Sequence, residues 1–457
     1  MSEKKLSRRL FLQGISLASA AAILAACAPK ATEAPKAEEP TKETAEEKPT
    51  TPPAAEGAPI AFLCRTDIKG AYAADKAVEE WNKNFASQIK LDEPPQGDIV
   101  TKIQSAQAAG DLVWDGYSVM EMPWSTVEWV KRGIISPLDD FIAASKIPNA
   151  DKVVPGIIPT IKESVSFEGK QYGIPGNVGS VALAWFWEPL RAAGYEKQPE
   201  TWDEVYDASK KIKQKYPDLT PFSYAIITLC LHFSMIWGAT DEPYDEEGIV
   251  DIRGEASLNA LEWMRKMVEE ELMPGTDADQ FGNWLKGGIA IISSFDVAGT
   301  MAQQTFGMDK AETGINFFPT KDSTHAGTPF WINNSVLLNK AKNPQGMVDF
   351  FLWWFGPDNK TTGKQITEVA AKPCYTYTYE EFVKGKPEFE WEQKGIDLVA
   401  KSKWFPVNTT WGIVHPKTIP YLQKLLDVSQ EFSRDIAATE MQACYDEIKD
   451  ELSKQKF

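Results

Sequence analysis

The residues that could do chemistry are few and far apart. The three histidines stand at 232, 325 and 415, with no helical partner for any of them. No H-E-x-x-H, G-x-S-x-G, Walker loop or G-x-G-x-x-G occurs. Asp277-Ala278-Asp279 with Gly282 lacks the remaining oxygen ligands and the glutamate of a calcium loop, so no metal is expected there. Asp245-Glu246-Glu247 reads as a solvated acidic loop. The five cysteines include no C-x-x-C, which is unlike a zinc or redox site. Cys64, Cys230, Cys374 and Cys444 fit either one or two disulfides or buried thiols. The expectation is a binder that needs no cofactor, not an enzyme.

What remains is binding chemistry. The chain has 16 Trp, 13 Tyr and 22 Phe. Flat rings with polar edges can pack core or offer platforms to the C–H faces of sugars. The segment Gln171–Arg191 concentrates this chemistry: a Tyr-Gly-Ile-Pro punctuation, Gly176, the small polar Asn177 and Ser180, then the apolar run Val181–Trp187. Gly and Pro set turns, and the run behind them reads as a buried strand. This segment is expected to pass between two domains and line a ligand cleft.

The elements that must position such a cleft are legible in order. Ile60–Cys64, Ile89–Leu91 and Tyr117–Met120 read as strands. A segment with Tyr72, Val78, Trp81 and Phe85, and another over Asp98–Ala109, read as helices between them. That alternation argues for an α/β domain with a parallel sheet. Ligands then sit beyond the carboxyl ends of the strands, which singles out Arg65, Thr66 and Asp67, and Glu121 with Trp124. Further on, Thr201 with Glu204 reads as a capped helix start. Ala256–Leu272 reads as an amphipathic helix, Gly287–Ser294 and Phe330–Leu338 as strands, and Met347–Phe355 as an aromatic helix.

At 457 residues the chain exceeds one compact core, and two domains are expected. Hydrophobic content of 43% and charged content of 25% are ordinary for a soluble protein. A net charge of −17 argues against nucleic acid as a partner.

The first 26 residues read as an export signal: a basic head (Lys4, Lys5, Arg8, Arg9) and the apolar Ile15–Ala26. Ser7–Leu12 resembles the twin-arginine motif, centred on Arg8 and Arg9. Leu24-Ala25-Ala26-Cys27 resembles a lipobox, which implies lipid on Cys27. Residues 27–57 then form a disordered Ala/Pro/Glu/Lys/Thr tether, able to reach roughly 90 Å if fully extended. The signal has four basic residues against Glu3, and the tether has four Lys against seven Glu. These balances cancel, so the folded part carries the whole −17. The expected location is extracytoplasmic, at the outer face of the cytoplasmic membrane.

Several stretches, in order, carry a family likeness over nearly all of residues 58–457. They are Ala106–Asp115, Arg132–Asp140, Tyr172–Leu190 with Ala193-Gly194, Thr201–Glu204, Trp284–Ser294 and Lys340–Trp354. Together they resemble the sugar-binding family of bacterial extracellular solute-binding proteins of ATP-binding-cassette (ABC) importers. The resemblance implies a two-lobed periplasmic-binding-protein-like α/β fold with hinge-crossing strands, closing on a ligand by hinge motion. Lobe 1 is expected over 58–172 and about 296–345, and lobe 2 with the C-terminal helices over 173–295 and about 346–457. A sugar or oligosaccharide is the implied ligand and a membrane permease the implied partner of a monomeric chain. A non-sugar solute such as a peptide, polyamine or phosphate ester is the alternative, and a secreted polysaccharide-active enzyme a third reading. The contact residues carried over by position are Asp67, Glu121, Trp124, Asn177, Ser180, Phe295, Asp296, Trp331, Asn333 and Trp411. Gly176, Trp185-Phe186-Trp187 and Ser294-Phe295-Asp296 depart from the family pattern, which implies a reshaped pocket.

Overall fold

The computed structural model describes residues 57–65, 73–94, 96–122, 125–275, 280–296, 298, 307, 312–322, 328–368, 372–399 and 410–454. Arg8, Arg9, Cys27, Thr66, Asp67, Trp124, Asp277, Asp279 and His325 lie outside the described residues.

Twelve strands are described. In the first part are β1 (Ile60–Cys64), β2 (Ile89–Asp92), β3 (Gly116–Met122) and the short β4 (Ile135–Ser136), β5 (Ser166–Phe167) and β6 (Lys170–Gln171). The long β7 (Ile174–Phe186) follows, then β8 (Thr220–Tyr224), β9 (Ile289–Phe295), β10 (Thr313–Phe317), β11 (Phe330–Leu338) and β12 (Lys372–Pro373). The main path through the sheet is β2-β1-β3-β11-β7-β9-β8. β1 pairs parallel with β2 and β3, and β8 with β9. β7 pairs antiparallel with β9, β10, β11 and β12. The strand–helix alternation read from the sequence is therefore present at both ends of the sheet, joined through an antiparallel centre.

Two large hydrophobic cores sit along this path. In the first, Phe62 of β1 meets the rings of Phe350, Phe351 and Trp354 at 5.5, 5.9 and 5.7 Å. Those rings belong to the helix Pro344–Trp354. Gly116 lets that helix lie against the sheet, since a Cβ there would stand 2.6 Å from the Met347 sulfur. The second core gathers Trp202, Phe222, Met264, Leu422 and Met441. Each such side chain, fully buried, contributes about 1.5–3 kcal/mol. The expected capping box is present: Glu204 N–H donates to Thr201 Oγ1 and Thr201 N–H donates to Glu204 Oε2, both at 3.3 Å.

The two cores divide along β7. Ile174 and Val178 pack in the first core, while Val181, Leu183 and Trp185 pack in the second. β7 thus passes from one core to the other in its middle. β10 pairs with the second half of β7, and Phe318 belongs to the second core. The segment from Met347 to Val399 belongs to the first core, and the second resumes at Ile413. The physical reason is that the aromatic face of Pro344–Trp354 finds its partner in Phe62.

No disulfide joins Cys64, Cys230, Cys374 and Cys444, all buried thiols. His232 is also fully buried, beside Phe233 on a π-helical stretch Ile227–Phe233 that follows β8. Its Nε2 lies 2.8 Å from Ser257 Oγ, and its Nδ1 has no partner. Burial pushes its pKa down to about 3. The unfolded chain takes up this proton near its ordinary value, and the fold only near 3. Stability is therefore complete above that ordinary value and lost as pH falls through the window, at about 1.4 kcal/mol per pH unit. Urea melts at neutral and mildly acidic pH should show this slope, and His232→Gln should flatten it. Equal slopes in the two proteins would contradict the assignment.

Candidate functional site

β7 forms the axis of the candidate site, because β9, β10, β11 and β12 all pair with it. Asn333 of β11 stands opposite Asn177 of β7 on one side and Glu121 of β3 on the other. Three polar residues therefore share one row across three neighbouring strands. Asn333 Nδ2 donates to Asn177 Oδ1 at 2.9 Å, and both residues are buried. A buried amide pair is tolerable only because it is hydrogen-bonded. Glu121 is described here by its strand position alone.

Two residues along, Trp331 faces Gly179. Its ring lies directly over that glycine: a Cβ there would come within 2.4 Å of the indole. The other side of the ring region meets Phe295 edge-to-face at 5.9 Å. Trp331 is 5% exposed and belongs to the second core. The ring packs, carried on β11 into the second core.

Asp296 is likewise taken up by the protein. Its backbone N–H donates to the Ser180 carbonyl at 3.1 Å. Its Oδ2 accepts the Ser180 N–H at 3.2 Å and the Lys372 ammonium at 2.8 Å. Asp296 is 3% exposed and Lys372 0%. Burial pulls the Lys372 pKa down from its ordinary value, and the adjacent Asp296 carboxylate opposes that pull. Asp296, expected as a ligand contact, stands in a buried ion pair. Ser180 is fully buried, and its Oγ has no hydrogen-bond partner.

Trp411 opens the helix Trp411–Leu426 in the second core. It stacks on His415 with centroids 5.3 Å apart and meets Phe233 edge-to-face at 5.8 Å. His415 Nδ1 contacts Thr228 Oγ1 on the π-helical stretch. Burial lowers the His415 pKa. The structure thus brings Asn177, Ser180, Phe295, Asp296, Trp331 and Asn333 together around one stretch of β7, and sets Trp411 apart with His415.

Sequence reasoning missed Lys372. Its only signal is a lysine directly before Pro373-Cys374-Tyr375, a stretch buried throughout. A shallow pocket lies elsewhere, walled by Trp354, Phe355, Tyr375, Tyr377 and Phe382. None of the contact residues expected from the sequence lines it. Among the described residues, no three His, Cys, Asp or Glu side chains gather as a metal ligand set, and no helix is long and apolar enough to cross a membrane.

With this geometry in place, comparison with known proteins is informative. A sequence model of the family "bacterial extracellular solute-binding protein" matches residues 76–370, more than half of the chain. An uncharacterized ABC transporter extracellular-binding protein of Pyrococcus horikoshii is 26% identical over 166 residues, 35% of this chain and 36% of that protein. A putative binding protein of Brucella abortus is 24% identical over 206 residues, 43% of this chain and 48% of that protein. The match therefore spans less than half the length of these relatives. Among solved structures, the GacH receptor of Streptomyces glaucescens superposes with a TM-score of 0.72 at 20% identity. That match covers 87% of this chain and 99% of the receptor. An ABC substrate-binding protein of Listeria monocytogenes gives 0.71 at 16% identity, covering 87% and 100%. The sugar-binding protein MalE of Xanthomonas citri gives 0.68 at 18%, covering 88% and 100%. At such identities the likeness establishes the two-lobed α/β fold.

Proposed function

The chain belongs to the bacterial extracellular solute-binding proteins, and from that premise we propose that it captures a sugar or oligosaccharide between its lobes. Closure about β7 holds the ligand, which then passes to the permease of an ABC importer. The observation that carries this reading is the row Asn177–Asn333–Glu121 beside the point where β7 leaves one core for the other. Neutral amides next to a carboxylate position offer donors and acceptors that suit hydroxyl groups. Structural neighbours were solved with acarbose and with cycloalternan, both carbohydrates, which supports the class of ligand.

The twin-arginine and lipobox motifs support a lipid anchor on Cys27 at the outer face of the cytoplasmic membrane, with the body acting as a monomer. Membrane fractionation of a Cys27→Ala variant decides the anchor.

A thermal-shift screen of the full chain against mono- and oligosaccharides tests the ligand. A bound sugar should raise the melting temperature by mass action, by about 2.7 kcal/mol of stability at a hundredfold excess over Kd. A shift with a peptide or polyamine, and with no sugar, would overturn the reading.

A further inference from the structure

The seam between the lobes contains one fully buried ion pair, and its position along β7 is specific. β7 is paired along both edges, on each by two strands in succession. On one edge the partner changes from β9, where Val181 faces Phe295, to β12, where Val178 faces Lys372. On the other it changes from β10, where Ala182 faces Phe317, to β11, where Ser180 faces Phe330. Both changes fall within residues 178–182. This is also where β7 passes from the first core to the second. The partners of β7 therefore change on both edges where the strand passes between the cores, with Asp296 N–H donating to the Ser180 carbonyl and Val181 N–H to the Pro329 carbonyl at the change.

Asp296 and Lys372 are the residues that meet across the first interruption. Asp296 directly follows β9, whose Ile291 packs in the second core. Lys372 begins β12, which leads into Cys374 and Tyr375 of the first core. Their 2.8 Å contact joins the two lobes, and the same carboxylate oxygen holds the Ser180 N–H at 3.2 Å. The lysine stem is fitted closely: a Cβ on Gly395 would stand 2.4 Å from Lys372 Cδ. The buried Glu392 adds a second attraction for the ammonium.

We propose that Lys372 is a positioning residue, which through Asp296 pins β7 at Ser180 and makes this pair the pivot between the lobes. Buried ion pairs seldom improve on apolar side chains of similar volume in stability. What this one adds is a charged contact between the ends of two strands that pair with β7 and not with each other. It fixes their separation at the point where β7 changes partners on both edges. The inference rests on the reading that the lobes close on a ligand, and it is tested here without one.

The experiment is double electron–electron resonance on the ligand-free full chain. Spin labels go on Glu79→Cys of the first lobe and Lys211→Cys of the second, both exposed. Lys372→Met and Asp296→Asn should each broaden the interlobe distance distribution about twofold while circular dichroism stays unchanged. The double variant Lys372→Met/Asp296→Leu, which removes both charges of the pair and leaves Glu392, should stay folded and equally broad. Unchanged distributions in the folded variants would overturn the pivot. If Lys372→Met does not fold, Asp296→Asn and the double variant decide the question. A sugar screen without a hit would remove the proposed ligand but not this result. A sugar hit with unchanged distributions would remove the pivot alone.

Discussion

Lys372→Met is expected to lower the unfolding free energy by about 3–5 kcal/mol, read as a shift in the urea midpoint. Lys372 is 0% exposed and Asp296 3%, so solvent does little to screen the charge left behind. In the variant, the Asp296 carboxylate keeps the Ser180 N–H but loses its counter-ion within a sheet seam. The lysine contribution runs against intuition in one respect. Its ammonium is destabilised by burial, so a double variant with Asp296→Leu should recover part of the loss, with buried Glu392 left without its cation. The pattern of a large single effect and a smaller double effect marks a desolvated pair. A loss below about 1 kcal/mol in the single variant would mean that the pair behaves as an exposed one, which this geometry forbids.

That pair also shows where the sequence stops being informative. The strands Ile60–Cys64 and Phe330–Leu338 have the residues expected, because short apolar runs bounded by turn residues leave few choices. The Thr201–Glu204 cap is local chemistry three residues long, and it appears as read. The long reach of β7 was legible in outline only: its glycines hid the first half of a continuous strand. Lys372 and Asp296 are 76 residues apart in sequence, and nothing local links a lysine before a proline to an aspartate after a strand. The membership of Pro344–Trp354 in the first core was equally hidden. Its rings announce burial without announcing against what. The π-helical turn over Ile227–Phe233 follows the same logic, since a mostly apolar, wholly buried stretch satisfies a strand, an α-helix or a wider helix equally.

Trp331 is expected from the family resemblance to touch ligand, and the fold packs it with Gly179 beneath and Phe295 at its edge. Trp331→Ala is therefore expected to cost about 3–5 kcal/mol through the cavity it leaves, seen as a lower melting temperature without any ligand present. Gly179→Ala should also destabilise, because its Cβ would meet the indole at 2.4 Å. The two changes compete for the same space, so they should not add: in the double variant the new methyl fills part of the void left by the ring. A platform residue would behave in the opposite way. Trp331→Ala would then melt like the parent and lose only sugar binding, and Gly179→Ala would leave the melting temperature indifferent to the residue at 331. The double-variant cycle thus separates packing from recognition at an aromatic carried on β11 and packed in the second core.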